Sequence, residues 1–422
     1  MEAIGAKRPM MIGRLCLAPL VGLIAAVGAP GSAFAQLANL GRVEDLLPSD
    51  ERDGLSAGGR VQVVYDSNLL RLDEGVPAAQ GRSRDDVVTN VSGVVRARIS
   101  PSLQRFRLDA QVGRDYHARN DFLDRDRILV EGGWDWRIGT RCGGVMQATY
   151  SQAQADLAEQ GAVLSNRQTA LSLLAQGGCR IGVGLKPAFV LSHRDVENSN
   201  PLRQATDLEV EGIGAGLSYN RTGRAGVSIG YRRDRFRYPN RVDPVLNVER
   251  RVRREVLGVQ LDLNLARRMT ISVSADINWI DPVGRGPVAR RTSGGVTASY
   301  RPTPRYELRA QARREIDAAL YVAADFVVRD RAEVAATYAI SPRTRLALTA
   351  GVVRSRFVNR TPVPLADDRT RDRTVVFAAA ADYRLRRNLA LRLEARHDHR
   401  TTDGDFGTFA GTRLAASMVL AL

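Results

Sequence analysis

Two alternating runs around one tight turn, from Asp86 to Arg119, restrict this chain more than any other stretch. In Val87 to Ile99 the odd positions are mostly apolar (Val87, Val91, Val95, Ala97, Ile99), whereas Asn90, Ser92, Arg96 and Arg98 fall on even positions. Ser100-Pro101-Ser102 breaks the run. Beyond it, Phe106, Leu108, Ala110 and Val112 share one face, and Arg105, Arg107, Asp109 and Gln111 share the other. Strict period-two alternation means strands with one apolar and one wet face. Soluble sandwiches alternate too, but their strands average about five or six residues. These runs are more than twice as long, enough to cross a bilayer at a tilt.

The rest of the chain repeats this hairpin. Further tight turns fall at Thr140-Arg141, Cys179-Arg180, Arg221 to Gly223, Ala266-Arg267, Pro302-Thr303-Pro304, Ser341-Pro342 and Arg386-Arg387. Eight turns with a first and a last strand predict an all-β fold. It is a transmembrane antiparallel up-and-down barrel of about 18 strands, with 16–20 compatible with the pattern. An even count puts both ends and the tight turns in the periplasm, and the longer loops outside.

Arg60 to Arg71 reads as the first strand, with Val61, Val63 and Tyr65 outward. Asp207 to Tyr219 changes face near Gly212-Ile213, which predicts a bulge, and Pro239 to Glu249 reads as a longer outer loop. Trp134 and Trp136, near a strand end, suit an interfacial aromatic girdle.

The N-terminus points to export. Lys7, Arg8 and Arg14 precede an apolar run, Leu15 to Val27, and Ala33-Phe34-Ala35 forms a small-residue cleavage site before Gln36. This is the pattern of a secretory signal. The expected organisation is a cleaved signal at 1–35, a short periplasmic lead-in at 36–58 and a barrel over 59–422. The lead-in is too short for the plug of a TonB-dependent transporter.

Loss of three basic residues and one acidic residue with the signal takes the formal charge from +16 to +14. Lys186 is then the only lysine, so nearly all the positive charge is arginine. Export argues against nucleic acid as a partner. The excess suits outer-membrane lipid, lipopolysaccharide or an acidic polysaccharide. Cys142 and Cys179 survive processing, and an even count in an exported chain favours a disulfide.

The predicted lumen face collects Arg60, Asp66, Asn68, Arg96, Arg98, Arg105, Arg107, Asp109, Arg309, Arg313, Glu315, Arg392, Glu394 and Arg396. Barrels of this size enclose an aqueous channel. Guanidinium forks suit carboxylates, phosphates and sulfates. The competing reading is a set of ion pairs that only hold the wall.

No catalytic pattern accompanies this face. Gly-x-Ser-x-Gly and His-Glu-x-x-His are absent. His397 and His399 share a strand face with Asp398 turned away, which reads as a solvated rim. His117 and His193 stand alone in the sequence. No enzyme, cofactor or metal site is expected.

Val64-Tyr65-Asp66-Ser67-Asn68-Leu69-Leu70-Arg71 resembles the Tyr-Asp-x-Asn-aliphatic-x-Arg opening of the β-barrel porin 2 family. That family includes the EpsL-like outer-membrane barrels encoded in exopolysaccharide operons. The layout of signal, lead-in and barrel is similar as well. The last ten residues, Arg413 to Leu422, resemble the C-terminal signal read by the barrel-assembly machinery, with Leu422 in place of the usual aromatic. The resemblance implies a Gram-negative outer membrane and passage of a secreted polysaccharide supplied by periplasmic and inner-membrane export components. Asp66 and Asn68 are then expected to face the lumen, or to serve a local turn. The alternatives are a general or anion-selective diffusion porin, and a structural or surface-binding barrel with a closed pore.

Overall fold

In the computed structural model, residues 53–157, 163–221, 223–242, 249–266, 268–283, 287–319, 324–358, 370–404 and 407–422 are described. The signal and most of the lead-in therefore lie outside the described residues.

The elements are β1 (Gly54–Asp66), β2 (Asp86–Ile99), β3 (Arg105–His117), β4 (Arg125–Ile138), β5 (Cys142–Gln154), β6 (Arg167–Cys179), β7 (Leu185–Asn198), β8 (Leu208–Tyr219) and β9 (Ala225–Val242). They continue as β10 (Glu249–Ala266), β11 (Met269–Asp281), β12 (Ala289–Thr303), β13 (Tyr306–Asp317), β14 (Phe326–Ser341), β15 (Thr344–Val358), β16 (Arg371–Arg386), β17 (Leu389–Thr402) and β18 (Phe409–Ala421). Each pairs antiparallel with its sequence neighbour, and β1 also pairs with β18, so one 18-stranded sheet closes on itself. Closure removes the edge strands and gives every strand a paired neighbour on both sides, which a chain in lipid requires.

Alternation sets the two faces. Val61, Val91, Val112, Leu191, Val259, Leu348, Phe377 and Leu393 are exposed on the outer wall. Tyr219, Tyr300, Tyr306 and Tyr383 lie exposed near the tight-turn end, and Tyr65 and Tyr116 near the other. An apolar band between aromatic girdles is the outer wall of a barrel that spans a membrane. Trp134 stacks on Phe106 with centroids 5.5 Å apart. The ring of Trp136 lies so close over Gly177 that a Cβ there would sit 2.3 Å from it. Cys142 and Cys179, the first pair of the β5–β6 ladder, are joined in a disulfide at the tight-turn rim.

Several boundaries differ from the sequence pattern. β1 begins at Gly54, inside the expected lead-in, and ends at Asp66, so Ser67 to Arg71 form a turn rather than strand. The turn after Cys179 is longer than Cys179-Arg180, since β7 starts at Leu185. The 239–249 loop is short, because β9 runs on to Val242 and Tyr238 still pairs with Arg250.

β8 has no bulge: it pairs in unbroken register with β7 and β9. Its change of pattern is a change of environment. Above Gly212 the strand has risen past the apolar band, so Glu209 and Glu211 point out, while Leu208 and Val210 are buried inward.

What buries them is a departure from a plain cylinder. β12 and β13 pair from Thr303↔Tyr306 up to Gly294↔Arg314 and no further. Gly294 has φ +144, a value that excludes most side chains. Above this point β13 and β14, still paired with each other, lean into the barrel. Ile316 and Phe326 sit on the outward register of their strands, yet are only 4% and 3% exposed. They pack against Val210, Phe236, Tyr238, Val252 and Ile280 from the inner wall of β8 to β11. The upper wall is therefore two layers thick on this side.

Candidate functional site: the barrel interior

The tucked hairpin is held by buried charge. Arg254 of β10 donates to the backbone carbonyl of Ile316 and pairs with Asp234 at 2.7 Å. Asp234 also takes Arg232 at 2.6 Å, and Arg232 reaches Ser192 at 2.8 Å. Arg250 and Asp325 form a fully buried pair. Arg241 donates to the carbonyls of Ala205 (2.9 Å) and Ala324 (3.1 Å), and its guanidinium lies 4.1 Å from the centroid of the Tyr238 ring. Ions taken out of water need close partners, and each of these has one.

The opposite side of the mouth is packed by loops. Leu70, Leu123 and Leu157, from the first three outer loops, form a buried cluster with Phe122 and Val163. Beneath it the octapeptide works as a clasp. The Arg71 guanidinium grips Asp66 with both amino groups, at 3.1 and 2.8 Å, and Arg413 of β18 donates to the same carboxylate at 2.8 Å. The Asn68 amide donates to Leu72 O (2.8 Å) and Ala410 O (3.0 Å). Ser67 and Thr412 exchange two hydrogen bonds, at 3.0 and 2.8 Å. Asp66 and Asn68 are thus buried in a knot that ties the first strand to the last, not aimed into an open lumen. The hydrogen bonds they need come from the turn and from β18.

The remaining candidates divide by position. Arg392 and Arg396 face inward but are buried: Arg392 lies 3.7 Å from Asp382 and 3.6 Å from Glu394, and Arg396 lies 2.8 Å from Asp398. They are wall contacts. Arg60 donates to Gln62 at 3.0 Å. Arg96 pairs with Asp109 at 3.1 Å, Arg107 with Asp135 at 3.7 Å and Arg313 with Glu315 at 3.2 Å.

Arg98, Arg105 and Arg309 differ. They face the lumen near the tight-turn end, with Arg105 and Arg309 exposed, and they enter no ion pair among the described residues. Arg105 and Arg309 stand on β3 and β13, eight strands apart in the ring of 18. The lower lumen thus carries exposed guanidinium groups outside ion pairs on opposing walls, with Arg309 within electrostatic reach of Glu333.

Three of the four histidines sit outside. His117, on the inward register of β3, has a buried side chain, with its Nδ1 3.0 Å from Asp124 Oδ1. His397 and His399 are exposed on the outer face of β17, while Asp398 points in and is buried. His397 Nδ1 lies 2.9 Å from Thr412 Oγ1. His193 is not isolated in space. It is paired in register with Glu211, and a ligand atom from each of His193, Glu209 and Glu211 falls within 4.8 Å of the others on the outer wall. Glu209 there already takes Arg237 at 3.2 Å.

Closure, the outward apolar band and the charged interior define a membrane-spanning β-barrel of the outer-membrane type. No family model matches the chain, and no curated protein matches it. Among solved structures it is similar to OccK2 (OpdF) of Pseudomonas aeruginosa in complex with glucuronate, at 13% identity and a TM-score of 0.46, over 87% of this chain and 98% of that one. It is also similar to the outer membrane protein opdK of the same organism (12%, 0.44, 87% and 99%). The siderophore receptor PirA of Acinetobacter baumannii is a further likeness (8%, 0.45, 88% and 81%).

Proposed function

We propose that this protein is an outer-membrane channel for an anionic carbohydrate, working in exopolysaccharide export. The observation that carries this reading is the set of arginines, Arg98, Arg105 and Arg309, that face the lower lumen and enter no ion pair among the described residues. An anionic chain arriving from the periplasm meets weak, repeated guanidinium contacts there, which favour entry without trapping. The octapeptide at Val64 to Arg71 supports the choice of a polysaccharide. In this reading a signal is removed after Ala35, the assembly machinery inserts the barrel, and inner-membrane components supply polymer and energy.

A second reading is a barrel closed at its outer mouth, favoured by the tucked hairpin and the clasped loops. Planar-bilayer conductance of the refolded mature protein separates the two. Anion-selective current, blocked by acidic but not neutral oligosaccharides, and lost in Arg105→Glu/Arg309→Glu, supports the channel. A folded protein with no current sinks it. Deletion of the gene with unchanged polysaccharide secretion sinks the export role alone.

A further inference from the structure

The outer wall of β13 to β16 carries an apolar band that stops abruptly. β15 presents Leu346, Leu348, Ala350 and Val352 outward, and β16 presents Tyr383, Phe377 and Val375 on the same face. The next outward positions are all arginine: Arg354 and Arg356 on β15, Arg373 and Arg371 on β16. Register sets Arg354 directly opposite Arg373, and Arg356 directly opposite Arg371. Like charges at directly opposed cross-strand positions destabilise a sheet, and here two such pairs stack one above the other. Successive outward positions on a strand are roughly 7 Å apart.

The nearest carboxylates offset only part of this charge. Asp330 attracts Arg354 and Arg356 as well as Arg314. Asp403 also borders the cleft, where it accepts the backbone N–H groups of Thr370 and Arg371. Asp330 lies opposite Arg354, but Arg314 holds it in a two-pronged bond at 2.6 and 2.9 Å. Among the described residues, Arg354, Arg356, Arg371 and Arg373 enter no ion pair, and all four are exposed. The same side chains line a concave cleft of about 720 Å³. The cleft exists because the β12–β13 ladder ends at Gly294 and the next strands lean inward. Thr292 of β12 forms its far wall.

Height on the wall identifies the partner. The tight turns mark the periplasmic end, so the arginine cluster lies where the apolar band meets the outer surface. A ligand that matches both features has phosphate or equivalent anions on a sugar headgroup, and acyl chains below. We propose that this cleft binds a phosphorylated glycolipid of the outer leaflet, of the lipid A type. Its phosphate is forked by the opposed arginines, and its chains lie along Leu348 and Phe377. The site rests on the outward face alone and is independent of what the lumen conducts.

The test uses the full mature protein, refolded in non-ionic detergent free of lipopolysaccharide and titrated by native mass spectrometry or calorimetry. The probes are bis-phosphorylated lipid A, the same lipid without phosphate, and inorganic phosphate. The expected result is tight binding of lipid A, weaker by about tenfold or more without its phosphates, with a similar loss in Arg354→Gln/Arg373→Gln. Arg354→Lys/Arg373→Lys keeps the charge but not the fork, and should fall between. Arg301→Gln, at the periplasmic end, should bind as wild type. Heat-modifiable gel mobility shows that each variant is folded. Equal binding by the Gln double variant, or by the dephosphorylated lipid, overturns the site. Inorganic phosphate binding as tightly as lipid A overturns the lipid assignment in favour of a free anion.

Discussion

Arg254, on the inner face of β10, donates a hydrogen bond to the backbone carbonyl of Ile316 on β13, three strands further round the barrel. Three strand spacings are about 14 Å along a wall, beyond the reach of an arginine side chain. The bond exists because β13 has left the cylinder. It measures how far the hairpin has come into the upper lumen.

Freeing that hairpin should open the channel. Arg250→Leu/Arg254→Leu removes the Arg250–Asp325 pair and the bond to Ile316. Conductance in planar bilayers should then rise by roughly twofold or more, since the constriction sets the current. Unchanged conductance in a folded variant would place the constriction elsewhere.

The clasp at the barrel seam should matter to stability rather than transport. Asp66→Ala leaves Arg71 and Arg413 without their carboxylate. Orphaning a buried charge costs about 3 to 5 kcal/mol. Urea unfolding in detergent should show a loss of that size, with ion selectivity preserved in the protein that still folds. A cost below ~1 kcal/mol would mean that the knot is not what holds β1 to β18.

The disulfide closes a loop with a sequence separation of 37. A loop of this length stabilises by about 3 to 4 kcal/mol in the chain-entropy description. Cys142→Ser should lower the unfolding midpoint without changing the folded barrel, and reduction of wild type should produce the same shift. Additivity of the two treatments would argue against the bond.

Asp207, in the loop before β8, gives a pH dependence with a definite sign. It accepts the Asn198 N–H at 2.8 Å and side-chain amides of Asn198 and Asn240 at 2.9 and 2.7 Å. Burial nevertheless pushes its carboxyl above the ordinary range, with those donors opposing. The folded state holds the proton more tightly than the unfolded chain. The contribution is therefore full below the unfolded value, about 3.9, and is lost as pH rises through the folded one. Asp207→Asn should remove that part of the slope when unfolding is followed across acidic pH. An identical slope in the variant would contradict the assignment.

Strand number, strand order and the two faces were legible in the sequence because their causes are local. Side chains alternate with period two, and Pro, Ser and Arg turns punctuate them, so Val91 and Leu348 declare an outward face from their neighbours alone. Roles inside the barrel were less legible. Arg105 and Arg392 carry the same pattern, yet Arg105 is exposed in the lower lumen and Arg392 is buried against Asp382 and Glu394.

The sequence by itself determined a closed, membrane-spanning barrel with a charged interior, because strands this long with one apolar face suit a bilayer, and in lipid backbone hydrogen bonding leaves them only closure. Only the tertiary structure decided what Asp66 and Ile316 do. The partners of the octapeptide lie more than 340 positions away, at Ala410 and Arg413. Ile316 and Phe326 stand on the outward register of their strands, and apolar side chains suit lipid and core equally. Their burial depends on where the β12–β13 ladder stops, and that is set by Gly294 and by the inner faces of strands far along the chain. The outer arginine cleft follows from the same break, because the strands that lean in leave the space it occupies.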